Sequence, residues 1–137
     1  MGLKLAVLNA SSERDFDAVF AKLIELRAGG LVIGSDPLFT SHGEQLAALA
    51  ASHAVLAVGG GPAFAAAGGL ASYGSALTDA YHLAGVYTGR ILKGEKPVDL
   101  PVQQATKIEL VINLKAAKAL GLTVPLSVLG RADHVIE

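Results

Sequence analysis

Along most of this chain, short apolar runs alternate with stretches of helical periodicity. Leu3, Leu5, Ala6, Val7 and Leu8 form a nearly continuous apolar run, which predicts a first strand of a parallel sheet covered on both faces. Ser12 and Asp15 follow at capping-box spacing. Phe16, Val19, Phe20, Leu23 and Ile24 or Leu26 then mark one helical face ending at Gly29-Gly30. Leu31 to Ser35 predicts the next strand, broken by the turn and cap residues Asp36-Pro37. Ser41 and Glu44 repeat the capping-box spacing ahead of Leu46, Leu49 and Ala50, and His53 leads into a strand at Val55 to Val58. This βαβαβ rhythm predicts an α/β fold, a mainly parallel sheet of four or five strands with helices on both faces and right-handed crossovers.

The rhythm weakens from Gly59 to Gly69. Gly59-Gly60-Gly61-Pro62 reads as a turn, Ala63 to Ala67 as a short helix, and Leu70 to Tyr73 as a brief strand. A long helix is predicted from about Ala76 to Leu92, with Tyr81, Ala84, Thr88, Ile91 and Leu92 at helical spacing, Gly94 as a left-handed cap and Pro97 preventing continuation. Pro101 to Ala105 reads as extended. Ile108, Leu110 and Ile112 alternate with Glu109 and Val111 as in a strand with one face largely buried, after which Asn113 caps a helix that Gly121 closes.

Composition narrows the function without naming it. The 137 residues suit one domain, 52% are hydrophobic and 17% charged, and the formal net charge of −1 offers no basic surplus for nucleic acid or anionic lipid. No window reaches the roughly 18 apolar residues of a membrane span, and Lys4, Asn9, Glu13 and Arg14 interrupt the start too soon for a signal peptide, so the chain as written reads as cytoplasmic. Without cysteine there is no disulfide, thiolate metal site or thiol nucleophile. His42, His53, His82 and His134 are scattered, no pair standing at metal-ligand spacing on a helix, and no GxSxG elbow is present. Asp15 and Asp17 read as surface charges and Tyr81 and Tyr87 as packing residues. Nothing in the pattern points to an enzyme, a cofactor or a metal.

In open parallel sheets, ligands sit beyond the carboxyl ends of the strands. Four predicted loops qualify, carrying Asn9, Ser11 and Ser12; Ser35 and Asp36; Gly59 to Gly61; and Ser72, Tyr73, Gly74 and Ser75. Hydroxyls can donate to a carboxylate, and a carboxylate can accept from an ammonium, so these side chains suit an amino acid. The same residues are also good helix caps, which competes with the ligand reading most directly at Ser11, Ser12, Ser41 and Asp36. The glycine loop lacks the Lys-Ser or Lys-Thr of a phosphate-binding loop.

The wording of residues 85–97 (GVYTGRILKGEKP), of residues 100–125 (LPVQQATKIELVINLKAAKALGLTVP) and of Val128 to Glu137 resembles the end of the substrate-binding proteins of ABC transporters with the type 1 periplasmic-binding fold. The resemblance is closest to the branch that includes tryptophan and tyrosine binders. It continues upstream through Ala10 to Phe39 and Ala65 to Tyr81, and matches only the C-terminal half of such a protein. It implies one α/β lobe over 1–137 resembling the second lobe from its second strand onward, with a crossover segment at about 70–105. The first lobe, and the opening strand and helix of the second, have no counterpart. Ligand contacts are implied at Ser35, Asp36, Tyr73 and Gly74, while the loop readings add Ser11 and Ser72. The glycine-only loop Gly59 to Pro62 departs from relatives with an aromatic and charged run there.

The implied function is solute binding for an ABC-type importer, with an amino-acid-like small molecule and the transporter's membrane subunits as partners and an extracytoplasmic location. Binding by the lone lobe is expected to be weak or absent. The alternatives are a homo-oligomeric assembly module and, less favoured, a small enzyme. Self-association is expected as a twofold dimer, with exchange of the C-terminal half as one form, because the strand at Leu3 to Leu8 lacks a neighbour and Leu77, Tyr81 and Ile91 lack a cover.

Overall fold

Five strands order themselves along the sheet as they occur along the chain. A computed structural model describes residues 2–103 and 107–137, and the backbone but not the side chain of Leu77. The strands are β1 (Leu31–Val32), β2 (Ala57–Gly59), β3 (Ala71–Ser75), β4 (Ile108–Asn113) and β5 (His134–Ile136), in the order β1-β2-β3-β4-β5. β1 to β2, β2 to β3 and β4 to β5 are parallel, whereas β3 and β4 are antiparallel. The helices are α1 (Phe16–Glu25), α2 (Pro37–Ser41), α3 (Gly43–Ser52), α4 (Pro62–Ala66), α5 (Leu77–Leu92), α6 (Leu114–Ala119) and α7 (Leu126–Leu129). The mainly parallel α/β class read from the sequence is therefore the one observed.

The core lies on one face of the sheet. Phe16, Phe20 and Leu23 of α1, Leu46, Ala47 and Ala50 of α3, and Phe64 of α4 form a single buried cluster with Ala57 of β2. Apolar residues at helical spacing thus meet strand residues that alternate sides, and both patterns bury one stripe against the other. Asn113 ties the far end of this layer down: its Nδ2 donates to the Ala65 carbonyl at 2.8 Å, and its Oδ1 accepts from the Ala116 N–H at 3.0 Å. One buried side chain thus joins β4 to α4 and caps α6, which the sequence had indicated only for the cap.

The opposite face is covered at one end only. Val32, Val58, Ala71, Ile112 and Val135 share one row of the sheet register, yet Ile112 is 2% exposed and Val32 81%. Tyr73 and Leu110, paired across β3 and β4, also lie on this face, where Val128 of α7 and Arg131 just after it stand beside them.

Several sequence expectations are corrected. Leu3 to Leu8 is not a strand of the sheet: it takes no regular secondary structure, makes no backbone hydrogen bond among the described residues, and leaves Leu5 87% exposed. An apolar run specifies burial, but strand structure also needs a neighbouring ladder, and none among the described residues borders this segment. The first helix ends at Glu25, capped by Leu26, and Arg27 just beyond it takes the left-handed conformation (φ 50°), all before the Gly29-Gly30 pair. Ser41 closes α2 by donating to the Pro37 and Leu38 carbonyls, and His42 occupies the cap of α3. In β4 it is Val111 as well as Ile112 that is buried, so both faces are covered toward its end. Tyr81 is exposed, and no described side chain of α5 is buried. Within α5, Tyr87 does pack, its hydroxyl donating to the Pro101 carbonyl at 2.7 Å with the Arg90 guanidinium over its ring. The helix at α7 and strand β5 were not read from periodicity. The extended reading of Pro101 to Ala105 and the expected exposure of Leu77 fall in part or whole outside the described residues.

Candidate functional site

The carboxyl ends of β1, β2 and β3 come together through glycine. A Cβ at Gly60 would sit 3.0 Å from Ser35 Oγ, and a Cβ at Gly74 would fall inside the van der Waals envelope of the Gly60 carbonyl oxygen. Ser35, Gly60 and Gly74 are thus adjacent in turn, and only an absent side chain lets the loops after β1 and β2 approach β3 this closely. The chain positions Ser35 there because β1 ends before Gly34, and positions Gly74 there because β3 runs on to Ser75, two residues further than the apolar pattern indicated.

Asp36 lies at the rim, exposed, and caps α2 by accepting from the Leu38 N–H through Oδ1 at 2.8 Å. That uses one carboxylate oxygen in a cap and leaves the second facing solvent, so capping and ligand contact are compatible here. Ser11 lies in the loop ahead of α1. Its backbone N–H donates to Asp15 Oδ2 at 2.8 Å, as do the Ser12 N–H at 2.9 Å and the Ser12 hydroxyl at 3.2 Å. The same loop reaches the α2–α3 junction through Glu13 and His42, with Oε2 and Nε2 3.2 Å apart.

Ser72 and Tyr73 part company because neighbouring strand residues face opposite ways. Ser72, 1% exposed, lies in register with Gly59 and Val111 on the core side, away from the loop cluster. Tyr73 turns to the open face, where it lines a shallow depression with Ile108, Leu110, Ser127, Val128 and Arg131. Of the residues singled out from the sequence, Ser35, Asp36 and Gly74 share one rim, Ser11 stays in the loop ahead of α1 with Asp15 as its partner, and Ser72 and Tyr73 lie on either side of β3. The Gly59 to Gly61 loop is a candidate from the sequence as a whole, and what marks Gly60 within it is its place opposite Gly74, which only tertiary structure supplies.

Hydrogen bonds from Ser11 and Ser12 hold the Asp15 carboxyl below the usual aspartate range. A carboxyl whose folded value lies below its unfolded value contributes while pH is above the unfolded value, and that contribution is lost as pH falls through the folded one. An NMR pH titration is therefore expected to show the Ser11 and Ser12 amides moving together with the Asp15 carboxyl, below the ordinary aspartate range. Their titration at the ordinary value would contradict the loop geometry. Elsewhere, Asp79 and Glu109 hold Lys107 above the usual lysine range at the foot of α5. No group of three metal-ligating side chains occurs among the described residues, and no described helix is long and apolar enough to cross a membrane.

The family profile described as ABC transporter substrate binding protein matches residues 1–136. A search of curated proteins finds no match to the chain. Among solved structures, a conserved domain protein from Vibrio cholerae O1 biovar El Tor superposes with a TM-score of 0.85 at 28% identity, covering 98% of this chain and 45% of that one. An ABC domain in complex with L-Trp from Streptococcus pneumoniae gives a TM-score of 0.85 at 27% identity, over 98% of this chain and 46% of that one. A ligand-free, open substrate-binding protein with adhesive properties from Clostridium difficile shares the fold, with a TM-score of 0.64 at 20% identity, over 98% and 45%. The chain spans less than half the length of each of these structures. By the match over nearly its whole length, this chain belongs to the ABC transporter substrate-binding protein family.

Proposed function

We propose that this chain is a single solute-binding lobe of an ABC-type import receptor, without chemistry of its own, that contributes one wall of a site for an amino-acid-like solute. The reading rests above all on the cluster of Ser35, Gly60 and Gly74 with Asp36 at its rim, at the end of the sheet where open α/β folds take ligands. It is supported by the neighbour solved with L-Trp, whose chain this one matches over less than half. The Asp36 carboxylate would accept from an ammonium, Ser35 and loop N–H groups would donate to a carboxylate, and Tyr73 would offer an aromatic face near the rim. In this reading the crossover segment at about 70–105 belongs to the lobe's connection with a second lobe, and the membrane subunits of a transporter are the further partners of a complete, extracytoplasmic receptor.

One lobe presents its half of the contacts to water and gains nothing from enclosure, so affinity is weak. A titration followed by amide chemical shifts, with aromatic and branched amino acids, is expected to move Ser35, Asp36, Gly60, Gly61 and Gly74 at about millimolar ligand. Asp36→Ala is expected to abolish those shifts while leaving the fold intact. Shifts confined to other surfaces, or a response unchanged in Asp36→Ala, would contradict the site.

Self-association is the second part of the reading. The exposed Tyr81, Ile91 and Leu92 of α5 and the exposed Leu3, Leu5 and Val7 leave apolar surface that a second copy can bury. A homodimer is accordingly the expected solution state, checked by light scattering coupled to size exclusion.

A further inference from the structure

The residue at the start of α3 does not do what that position asks of it. His42 is the N-cap of α3, where a Ser, Thr, Asp or Asn side chain would accept from the helix's free N–H groups, yet its ring makes no such bond. The ring turns back onto the end of α2 instead. Its Nδ1 lies 2.8 Å from the Leu38 carbonyl oxygen and 3.1 Å from Ser41 Oγ, and its Nε2 lies 3.2 Å from Glu13 Oε2 in the turn Glu13–Asp15 ahead of α1. The half-buried ring also stands roughly perpendicular to that of buried Phe16, with 5.8 Å between centroids. One side chain thus touches α2, α1 and the turn before α1.

These contacts fix where the protons belong. A carbonyl oxygen only accepts, so Nδ1 carries a hydrogen and donates it to Leu38. The Ser41 hydroxyl donates its own hydrogen to the Pro37 carbonyl at 2.8 Å and so faces Nδ1 as a second acceptor. A neutral ring protonated at Nδ1 would turn a lone pair toward the Glu13 carboxylate, whereas the imidazolium presents an N–H on both sides. The set of partners is complete only for the cation. The last carbonyls of α2 favour a positive charge there; the N-terminus of α3 opposes it and is offset by Glu44 in its first turn. Of the surrounding elements, α2 has no ionisable side chain, α1 carries Asp17 and the pair Lys22–Glu25, and the turn before α1 carries Glu13, Arg14 and Asp15. Asp15 is engaged by Ser11 and Ser12, which leaves Glu13 as the ring's charged partner.

Leu38 joins this ring to the rim of the candidate site. Its carbonyl accepts from His42, and its N–H donates to Asp36 Oδ1 at 2.8 Å. Thr40 ties the same turn to the Asp36 carbonyl through its N–H and its hydroxyl, each at 2.9 Å, so the two ends of five-residue α2 shift together. We propose that His42 is a positioning residue for the rim: with both ring nitrogens protonated it clamps α2 to the turn before α1 and holds Asp36 in place for a solute, and it releases that hold as the ring loses a proton. The proposal rests on the reading of Asp36 as a solute contact and adds proton control of that contact. A group that finds its folded-state partner in the protonated form contributes at low pH, and the contribution is lost as pH rises through the imidazole range.

Two-dimensional NMR of the solute-free chain reads the hold directly. The amides of Glu13, Leu38 and Asp36 are expected to follow the His42 ring signals through the imidazole range, about pH 5 to 8. In Glu13→Gln the ring has no charged partner, and those amide responses are expected to fall at least about twofold. In His42→Asn the side-chain amide can still donate to Leu38 but does not titrate, so the pH response is expected to vanish with an unchanged circular dichroism spectrum. Amides that ignore the ring, or a response as large in Glu13→Gln, would overturn the proposal. With L-tryptophan, the Asp36 shifts are expected to need at least about twofold more solute at the upper end of that range than at the lower, a difference that His42→Asn removes. Equal affinity at both ends would overturn the proposal as well. No binding at either end would contradict Asp36 as a solute contact, and the solute-free spectra would still decide the clamp.

Discussion

Phe64→Ala is expected to lower the unfolding free energy by about 3–5 kcal/mol, a large part of the roughly 5–15 kcal/mol that holds a domain together. The ring is 4% exposed and stands between two glycines of adjacent strand ends. A Cβ at Gly59 would lie 2.7 Å from its Cγ, and one at Gly69 would overlap its Cε1. Those positions lack side chains because the ring fills their space. Once the ring is removed, neither glycine has atoms to move into the void, so the cavity persists and the loss falls toward the upper end of the range. Urea denaturation followed by circular dichroism measures it. A loss below about 1 kcal/mol would mean that α4 does not pack on β2 and β3 in this way.

Gly74→Ala is expected to cost about 2–3 kcal/mol and to disorganise the candidate site at the same time. The obstacle is the Gly60 carbonyl, part of the backbone, which cannot rotate aside as a side chain could. β3 and the loop after β2 must separate, and Ser35, next to Gly60, loses its fixed neighbour. Stability and the amide shifts of Ser35 and Gly60 should therefore change together, whereas Gly85→Ala, inside α5 where an added Cβ meets nothing, should leave those amides unmoved and raise stability by up to about 1 kcal/mol. A stable Gly74→Ala variant with unmoved loop amides would show that the three strand ends are not in contact.

What the sequence made legible was whatever depends on local pattern. Phe16, Phe20 and Leu23 at helical spacing, Asp36 before Pro37, Gly94 and Gly121 with positive φ, and the cap at Asn113 all stand where their chemistry put them. Leu3 to Leu8 misled because an apolar run reports the demand for burial and not whether a partner strand exists to meet it. Ser41 misled because a hydroxyl can close one helix as readily as open the next. The antiparallel return of β4 left no local mark, since alternation looks the same in either direction. At the site, residue types located Ser35 and Asp36, but the strand parity that buries Ser72 and turns Tyr73 outward needed the exact span of β3, and the meeting of Gly60 with Gly74 is a contact between segments far apart in sequence.

The proposed reading, one wall of a site for an amino-acid-like solute, carries an expectation of weak binding. Isothermal titration of the chain with L-tryptophan at millimolar concentration tests that statement most directly. The account predicts a saturable interaction with a dissociation constant of about millimolar or weaker, no more than roughly 4 kcal/mol of binding free energy. A micromolar complex would contradict it, because a single open wall would then be a complete site.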